Sequence, residues 1–197
     1  MAPNLPSSGR SKGRFAPFGL PLMSNVRLHS TAMTRHSIRW QALWLLAWLG
    51  LVFVAAAAGA LASVDAASFY LQLNKPAWAP PASAFGPVWS VLYALMGVSA
   101  WLVWRERGNK PVAWALSLFI AQLVANALWS WLFFAWRLGA ASFGDVLLLL
   151  VLIVLTLAAF LQVTRLAALL MVPYLAWVCL ASALTWAVWQ ANPTRFH

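Results

Sequence analysis

The chain has 197 residues, of which 63% are hydrophobic and 8% are charged, whereas soluble domains carry about a quarter charged residues. This composition indicates an integral membrane protein, and the length is that of a single domain. The net charge of +10 does not indicate nucleic-acid binding, because six of the thirteen basic residues precede the first apolar run and most others lie at the ends of apolar segments.

The N-terminal stretch differs from everything that follows it. Residues 1–36 are rich in Ser, Arg and Pro, lack acids and show no apolar period, so they are predicted to be a disordered basic extension. A transit peptide has this composition. An over-extended start site also accounts for it, because Met23 and Met33 offer later starts, and the ordinary cytoplasmic sequence after Met33 favours this second explanation.

Five apolar runs follow, each long enough to cross a bilayer, which takes about 20 mostly apolar residues. Each is predicted to be a helix, because lipid offers no hydrogen bonds to an open strand edge. The sequence therefore predicts an all-α integral membrane fold, a five-transmembrane-helix bundle over residues 37–192, with a short C-terminal tail at residues 193–197. The predicted spans are Trp40–Val64, Phe85–Trp104, Val112–Phe134, Phe143–Thr164 and Leu166–Trp189.

The basic residues are divided unevenly between the two sides of this bundle. If the N-terminus is inside, ten basic residues lie inside, and three lie outside, namely Lys75, Arg137 and Arg195. The positive-inside rule therefore predicts an inner N-terminus. We expect a multi-pass protein of a bacterial cell membrane, surrounded by lipid.

The stretch KPAWAPP, between the first two predicted spans, is unusually stiff. Pro76, Pro80 and Pro81 remove backbone donors and hold the chain extended, and Pro87 stands where a helix can start. We interpret this stretch as a lid over a binding pocket on the outer side. Lys75, at its beginning, is expected to assist ligands that carry carboxylates, with a small effect because exposed charge pairs are weak.

Three spans carry aromatic and polar residues at helical spacing, which places those residues on shared helix faces. With the predicted orientation the three faces meet in the outer half of the membrane, beneath the lid. Such faces form either an aromatic pocket for a flat apolar ligand or ordinary packing between helices. The residues concerned are Trp89, Tyr93, Asn126, Trp129, Tyr174, Trp177, Ala181 and Thr185.

Ionisable and metal-binding residues are scarce within the spans. The acids Asp65, Glu106 and Asp145 lie at or near span ends, whereas ion-coupled pumps place acids within the membrane. The single cysteine, Cys179, is predicted to be a small buried side chain, and no metal site is predicted. No acid–base pair or activated nucleophile indicates hydrolytic or transfer chemistry, but radical photochemistry needs only oxidisable aromatic residues.

Small residues four apart let helices approach closely in membranes. Two such pairs occur, Ala58 with Ala62 in the first span and Ala121 with Ala125 in the third. If the protein forms a homodimer, we expect the interface to use the third span, because its polar face points elsewhere.

Several motifs in this order resemble the tryptophan-rich sensory protein family, whose mitochondrial members are called translocator proteins or peripheral-type benzodiazepine receptors. They are KPAWAPP, FGPVWSVLYALMG, QLVANALWSWLFF and PYLAWVCLASAL, and the similarity covers all five spans. The resemblance implies a five-helix bundle, often a homodimer, that binds porphyrins such as protoporphyrin IX. By position in the motifs, Trp89 and Trp177 match two pocket tryptophans linked to light-dependent porphyrin breakdown, and Lys75 and Trp78 match the lid. We expect Trp78 to bind the ligand together with the eight residues on the three helix faces.

Three functions follow as expectations from the residues and the resemblance together. The first is a membrane receptor or carrier for tetrapyrroles or other flat apolar ligands. It requires no cofactor, and porphyrin is its ligand. The second is an enzyme that degrades porphyrin with light and oxygen, in which Trp89 and Trp177 act on the excited macrocycle. The third is a helical scaffold for membrane partners. The sterol-recognition pattern of the family is incomplete here, because Trp186 and Gln190 stand where it has a tyrosine and a basic residue.

Overall fold

The computed structural model describes residues 38–197, and the predicted extension over residues 1–36 lies outside this range. The predicted fold class is confirmed, since five helices of the described part are long and apolar enough to cross a membrane. A sixth, short helix precedes the second of them. The helices are α1 (Ile38–Ala62), α2 (Ala66–Leu71), α3 (Ala82–Arg105), α4 (Ala113–Ser130), α5 (Gly139–Val163) and α6 (Arg165–Ala191).

The long helices coincide with the predicted spans to within four residues at each end, but two local features differ. Helix α3 begins at Ala82, after Pro81 in an extended conformation (φ −65°, ψ 149°), so the helix start predicted at Pro87 is wrong and this proline lies inside the helix. Helix α4 continues as a single π-helical turn over Trp131–Ala135. Such turns occur mostly inside or at the ends of α-helices and are frequent at functional sites.

The five long helices form a closed ring in the order α1, α3, α6, α5, α4 and back to α1. Apolar faces pack toward the centre, and a few polar contacts tie neighbouring helices together. Ser99 Oγ of α3 donates a hydrogen bond to the Ala167 carbonyl of α6 at 2.7 Å. The Trp131 indole N–H, at the end of α4, donates to the Ala58 carbonyl of α1 at 3.1 Å.

The burial of small residues corrects two expectations from the sequence. Ala125 and Ala62 are buried within the chain, so neither of the predicted alanine pairs offers a free surface. Cys179, expected to be buried, is exposed on the outside of α6. The homodimer stays a prediction, and the outward row of small residues on α4 is instead Ala113, Ser117 and Ala121.

The bundle has two distinct ends. We call the end that carries residues 63–81, 136–138 and 192–197 the loop end, and the end that carries residues 106–112 and Thr164 the opposite end. The opposite end holds Arg39, Arg105, Glu106, Arg107, Lys110 and Arg165, and the loop end holds Asp65, Lys75, Arg137 and Arg195. Which end faces inward stays a prediction.

Candidate ligand-binding site

A cavity of about 620 Å³ lies inside the bundle at the loop end. Its walls come from the last half of α1, the first half of α3, the last half of α4 with its π-helical turn, and the last half of α6. Helix α2 closes the top through Ala66, Ala67 and Tyr70. The volume falls within the range of about 300–1,000 Å³ that small-molecule sites occupy.

Side chains of two contrasting kinds, small and aromatic, line this cavity. Helix α1 contributes small side chains apart from Phe53, so most of its wall is nearly flat, whereas α3 and α4, its two neighbours in the ring, contribute large aromatic rings. A flat wall flanked by aromatic rings accepts a planar apolar molecule, because rings stack in offset or edge-to-face contact with such surfaces. The small wall consists of Ala56, Ala57, Gly59, Ala60 and Ser63, and the aromatic wall of Phe85, Trp89, Tyr93, Trp129, Phe133 and Phe134.

The structure brings together six of the nine residues that the sequence and the resemblance nominated as ligand-binding. They come from three different helices and all line the cavity, namely Trp89, Tyr93, Asn126, Trp129, Ala181 and Thr185. Three nominated residues do not line it. Trp78 is 51% exposed on the loop, Tyr174 is fully buried in the core behind the cavity, and Trp177 packs edge-on against Phe85 with ring centres 5.8 Å apart.

A hydrogen-bonded cluster of buried side chains forms the floor below the cavity and joins α3, α4 and α6. The Tyr93 hydroxyl donates to Asn126 Oδ1 at 2.6 Å, and Asn126 Nδ2 donates to the Tyr174 hydroxyl at 3.2 Å. The Tyr174 hydroxyl in turn donates to Gln122 Oε1 at 2.8 Å. Because these bonds satisfy buried polar groups in one continuous series, they hold the faces of three helices in register.

Two polar atoms in the cavity wall have no hydrogen-bond partner within residues 38–197. They are the Trp129 indole N–H and the Thr185 hydroxyl, and both side chains are more than nine-tenths buried. A buried donor without a partner is costly, so each favours a ligand that brings an acceptor to it. The cavity therefore suits a mainly apolar ligand with a few polar atoms.

The sequence analysis missed part of this site. It did not nominate the small-residue wall of α1, because alanines carry no functional signal, and the pair interpreted as a helix contact, Ala58 and Ala62, does not line the cavity. It also did not anticipate α2, which lies in a segment treated as a loop between spans. The run AAAAGALAS, from Ala55 to Ser63, was the available signal, because a stretch of small residues next to a predicted lid leaves room for a ligand.

The predicted lid residues lie one layer outside the cavity rather than in its wall. The Tyr70 hydroxyl donates to the Pro80 carbonyl at 2.9 Å, which fixes the proline-rich loop to α2. Burial raises the pKa of the Tyr70 phenol, which keeps this donor protonated. Lys75, Pro76, Pro80 and Pro81 therefore support the roof formed by α2, and none of them is among the residues lining the cavity.

Lys75 is held within this loop. Its ammonium donates to the carbonyls of Tyr70 at 2.6 Å and Leu73 at 3.0 Å, and it stands 4.8 Å from the centre of the Tyr70 ring. These contacts fasten the end of α2 to the loop. The role expected for Lys75 toward ligand carboxylates stays a prediction, and any such ligand competes with the two carbonyls.

The segment after α6 fastens the roof from the other side. Asn192 forms two hydrogen bonds with the backbone of Asn74, accepting from its N–H at 2.8 Å and donating to its carbonyl at 2.9 Å. Phe196 is buried against Phe69 of α2 and Phe133, with ring centres 5.8 and 5.3 Å away. Residues 192–197, whose last five were predicted to be a short tail, thus pack against the roof.

We expect Asn192→Ala to loosen the roof. The change removes both hydrogen bonds to Asn74, each worth about 0.5–1.5 kcal/mol, so local opening should become several-fold more frequent. Amide hydrogen exchange of residues 70–80 in detergent measures this directly. Gln72→Ala, which removes only the exposed 3.2 Å bond from Arg195, is the control. Equal exchange in the two variants would show that the Asn192 contact does not restrain the roof.

Comparison with known proteins adds to this geometry. Residues 47–190 match the TspO/MBR family. The chain is 35% identical over 129 residues to a translocator protein of Ovis aries, covering 64% of this chain and 76% of the relative. It is 39% identical over 130 residues to a tryptophan-rich protein TspO of Chlorobaculum tepidum, covering 64% and 80%. It is 35% identical over 140 residues to a protein CrtK of Rhodobacter capsulatus, covering 71% and 86%.

Proposed function

The chain belongs to the TspO/MBR family of multi-pass membrane proteins, and from this premise we propose that it is a receptor or carrier that binds tetrapyrroles such as protoporphyrin IX in the loop-end cavity. In this proposal the protein has a regulatory or transport role in tetrapyrrole homeostasis. The observation that carries the proposal is the pairing of a flat wall of small residues with a wall of aromatic rings.

The cavity supplies the interactions that a porphyrin needs. A macrocycle is flat and largely apolar, so the proposal places it against the α1 wall and in contact with the rings of Trp89 and Trp129, which line the same cavity. Micromolar affinity corresponds to about 8 kcal/mol, which burial of roughly 330 Å² of apolar surface supplies before the cost of association is subtracted. The unpaired Trp129 indole N–H and Thr185 hydroxyl favour acceptor groups on the ligand.

A titration in the dark tests this proposal. Protoporphyrin IX is added to the detergent-purified full chain, and the porphyrin absorbance and tryptophan fluorescence are followed. We expect saturable binding at micromolar concentration or tighter, with quenching of the tryptophan fluorescence. A spectrum that changes only linearly with porphyrin concentration, as for partition into detergent micelles, would contradict the proposal. The helical scaffold for membrane partners would then be the remaining function.

Light-dependent porphyrin degradation is the second candidate, and the position of Trp89 favours it. Its ring lies in the cavity wall, 5.5 Å from the Tyr93 ring centre and 6.2 Å from that of Tyr174, so a row of oxidisable aromatics begins at the ligand. Trp177, the other residue nominated for this chemistry, does not line the cavity and packs edge-on against Phe85, which does.

Illumination separates the two candidates. The bound complex is exposed to light in the presence of oxygen, and the spectrum is compared with that of free porphyrin in detergent. A new absorbing product that forms faster with protein, and more slowly with Trp89→Phe, supports the enzyme. Bleaching at the rate of free porphyrin supports the receptor or carrier.

A further inference from the structure

A second cavity, of about 350 Å³, lies at the opposite end of the bundle between the start of α4 and the end of α5. It shares no residue with the loop-end cavity. Its rim carries Lys110 and Gln162, and its deeper part is apolar, lined by Leu118, Leu155 and Ala159. Val163 lies at the rim, and Leu155 lies eight residues before it on α5. The groove therefore runs about 12 Å along this helix toward the middle of the membrane.

The polar rim of this groove carries a positive charge. The Lys110 ammonium donates hydrogen bonds to the carbonyls of Val163 and Gln162, the last residues of α5, yet Lys110 stays exposed. Backbone carbonyls carry only partial charges, so they do not neutralise an ammonium group. Among the described residues that line the cavity, Lys110 is the one cation, and none is an acid.

Two neighbouring arginines pack against tryptophans, and a third, Arg165, is exposed and is not among the residues lining the groove. The Arg107 guanidinium stacks 3.3 Å from the Trp104 ring centre, and that of Arg105 lies 4.6 Å from the Trp101 ring centre. They add to the positive potential of this end, where Glu106 is the one acid of the residues 105–112, but they are not part of the groove.

An exposed tryptophan marks the depth of the rim. Trp114 lines the groove and is 70% exposed, on the first turn of α4. Exposed tryptophans near the ends of spanning helices lie at the level of lipid headgroups. The groove thus has a cation at headgroup depth and an apolar channel beneath it, and basic pockets between transmembrane helices suit anionic headgroups.

We propose that the groove between α4 and α5 binds one anionic phospholipid, with its phosphate at Lys110 and part of an acyl chain along Leu118 and Leu155. The charge and the shape of the groove favour an anionic lipid over a zwitterionic one, because a zwitterionic headgroup brings its own cation close to the ammonium of Lys110. The site is independent of tetrapyrrole binding, because the two cavities lie at opposite ends of the bundle.

Native mass spectrometry of the purified full chain with phosphatidylglycerol and phosphatidylcholine tests the proposal. We expect the first phosphatidylglycerol to bind about fivefold more tightly than phosphatidylcholine, and Lys110→Ala to abolish most of that preference. Arg107→Ala removes the same charge from the same end but outside the groove, so it should keep most of the preference. Equal losses of the phosphatidylglycerol preference in the two variants would show that the preference comes from diffuse electrostatics, which would overturn the proposal.

A second pair of variants keeps the test independent of the role of Lys110 at the end of α5. Ala158 is exposed and lines the groove, so Ala158→Phe should fill it and displace the lipid while every charge remains. Ala141→Phe, at an exposed position on the other end of α5, is the matched control. Unchanged phosphatidylglycerol binding by Ala158→Phe would show that the groove is not the site.

Discussion

Trp89→Ala is expected to weaken protoporphyrin IX binding roughly tenfold, if the loop-end cavity is the tetrapyrrole site. The indole lies in the aromatic wall, and its removal takes away a ring surface against which a flat ligand packs. Burial of an aromatic side chain is worth about 1.5–3 kcal/mol, and tenfold in affinity is about 1.4 kcal/mol. The porphyrin absorbance should be the readout, because the lost indole changes the fluorescence.

Two tryptophan variants serve as controls in the same titration. Trp78 is exposed outside the cavity, so Trp78→Ala should leave the affinity within about twofold. Trp177 lies behind Phe85, so Trp177→Ala should have an effect between those of the other two. A loss for Trp78→Ala as large as that for Trp89→Ala would place the ligand under the proline-rich loop and refute the assignment to the cavity.

Gly139→Ala is expected to destabilise the bundle by about 1–3 kcal/mol, as overpacked core substitutions do. Gly139 is buried at the start of α5, against the indole of Trp189 near the end of α6. A Cβ atom there would stand 2.7 Å from Trp189 Cγ and closer still to other ring atoms. The ring cannot yield easily, because Phe143 and Trp186 pack against it.

Gly144→Ala in the same helix is the matched control, with an effect of opposite sign. A Cβ at Gly144 meets nothing within 4 Å in the described structure, and alanine favours a helix over glycine by about 0.5–1 kcal/mol. The midpoint of thermal unfolding in detergent, followed by circular dichroism, should therefore fall for Gly139→Ala and rise for Gly144→Ala. A rise in both would mean that α5 and α6 separate at this point without cost.

The roof of the cavity connects these predictions to ligand exchange. Helix α2 is held by the loop through Tyr70 and Pro80 and by the segment after α6 through Asn192. An element of six residues cannot be stable as an isolated helix, so its position depends on these tertiary contacts. Ligand exchange through this end of the protein should therefore respond to Asn192 more than to the exposed Trp78.

The membrane fold and much of the binding face can be predicted from the amino-acid sequence without the structure. Apolar runs of about 20 residues leave only the helix as a way to satisfy backbone hydrogen bonds in lipid, so the five spans followed from composition and length. Spacing by helical turns placed Trp89 with Tyr93 and Asn126 with Trp129, because these pairs lie on one helix face whatever the neighbours are. The family motifs added the order in which the faces occur.

Which helix faces enclose a cavity depends on how the helices pack, which the sequence pattern does not reveal. Trp89 and Trp177 have equivalent signals in the sequence, yet Trp89 lies in the cavity wall and Trp177 lies behind Phe85. The reason is that packing sets the rotation of each helix about its axis. The alanine run of α1 could be interpreted as a cavity wall only once the aromatic rings of the neighbouring helices were seen to line the same space. Lys110 likewise became a groove cation only because α5 ends beside it, more than fifty residues along the chain.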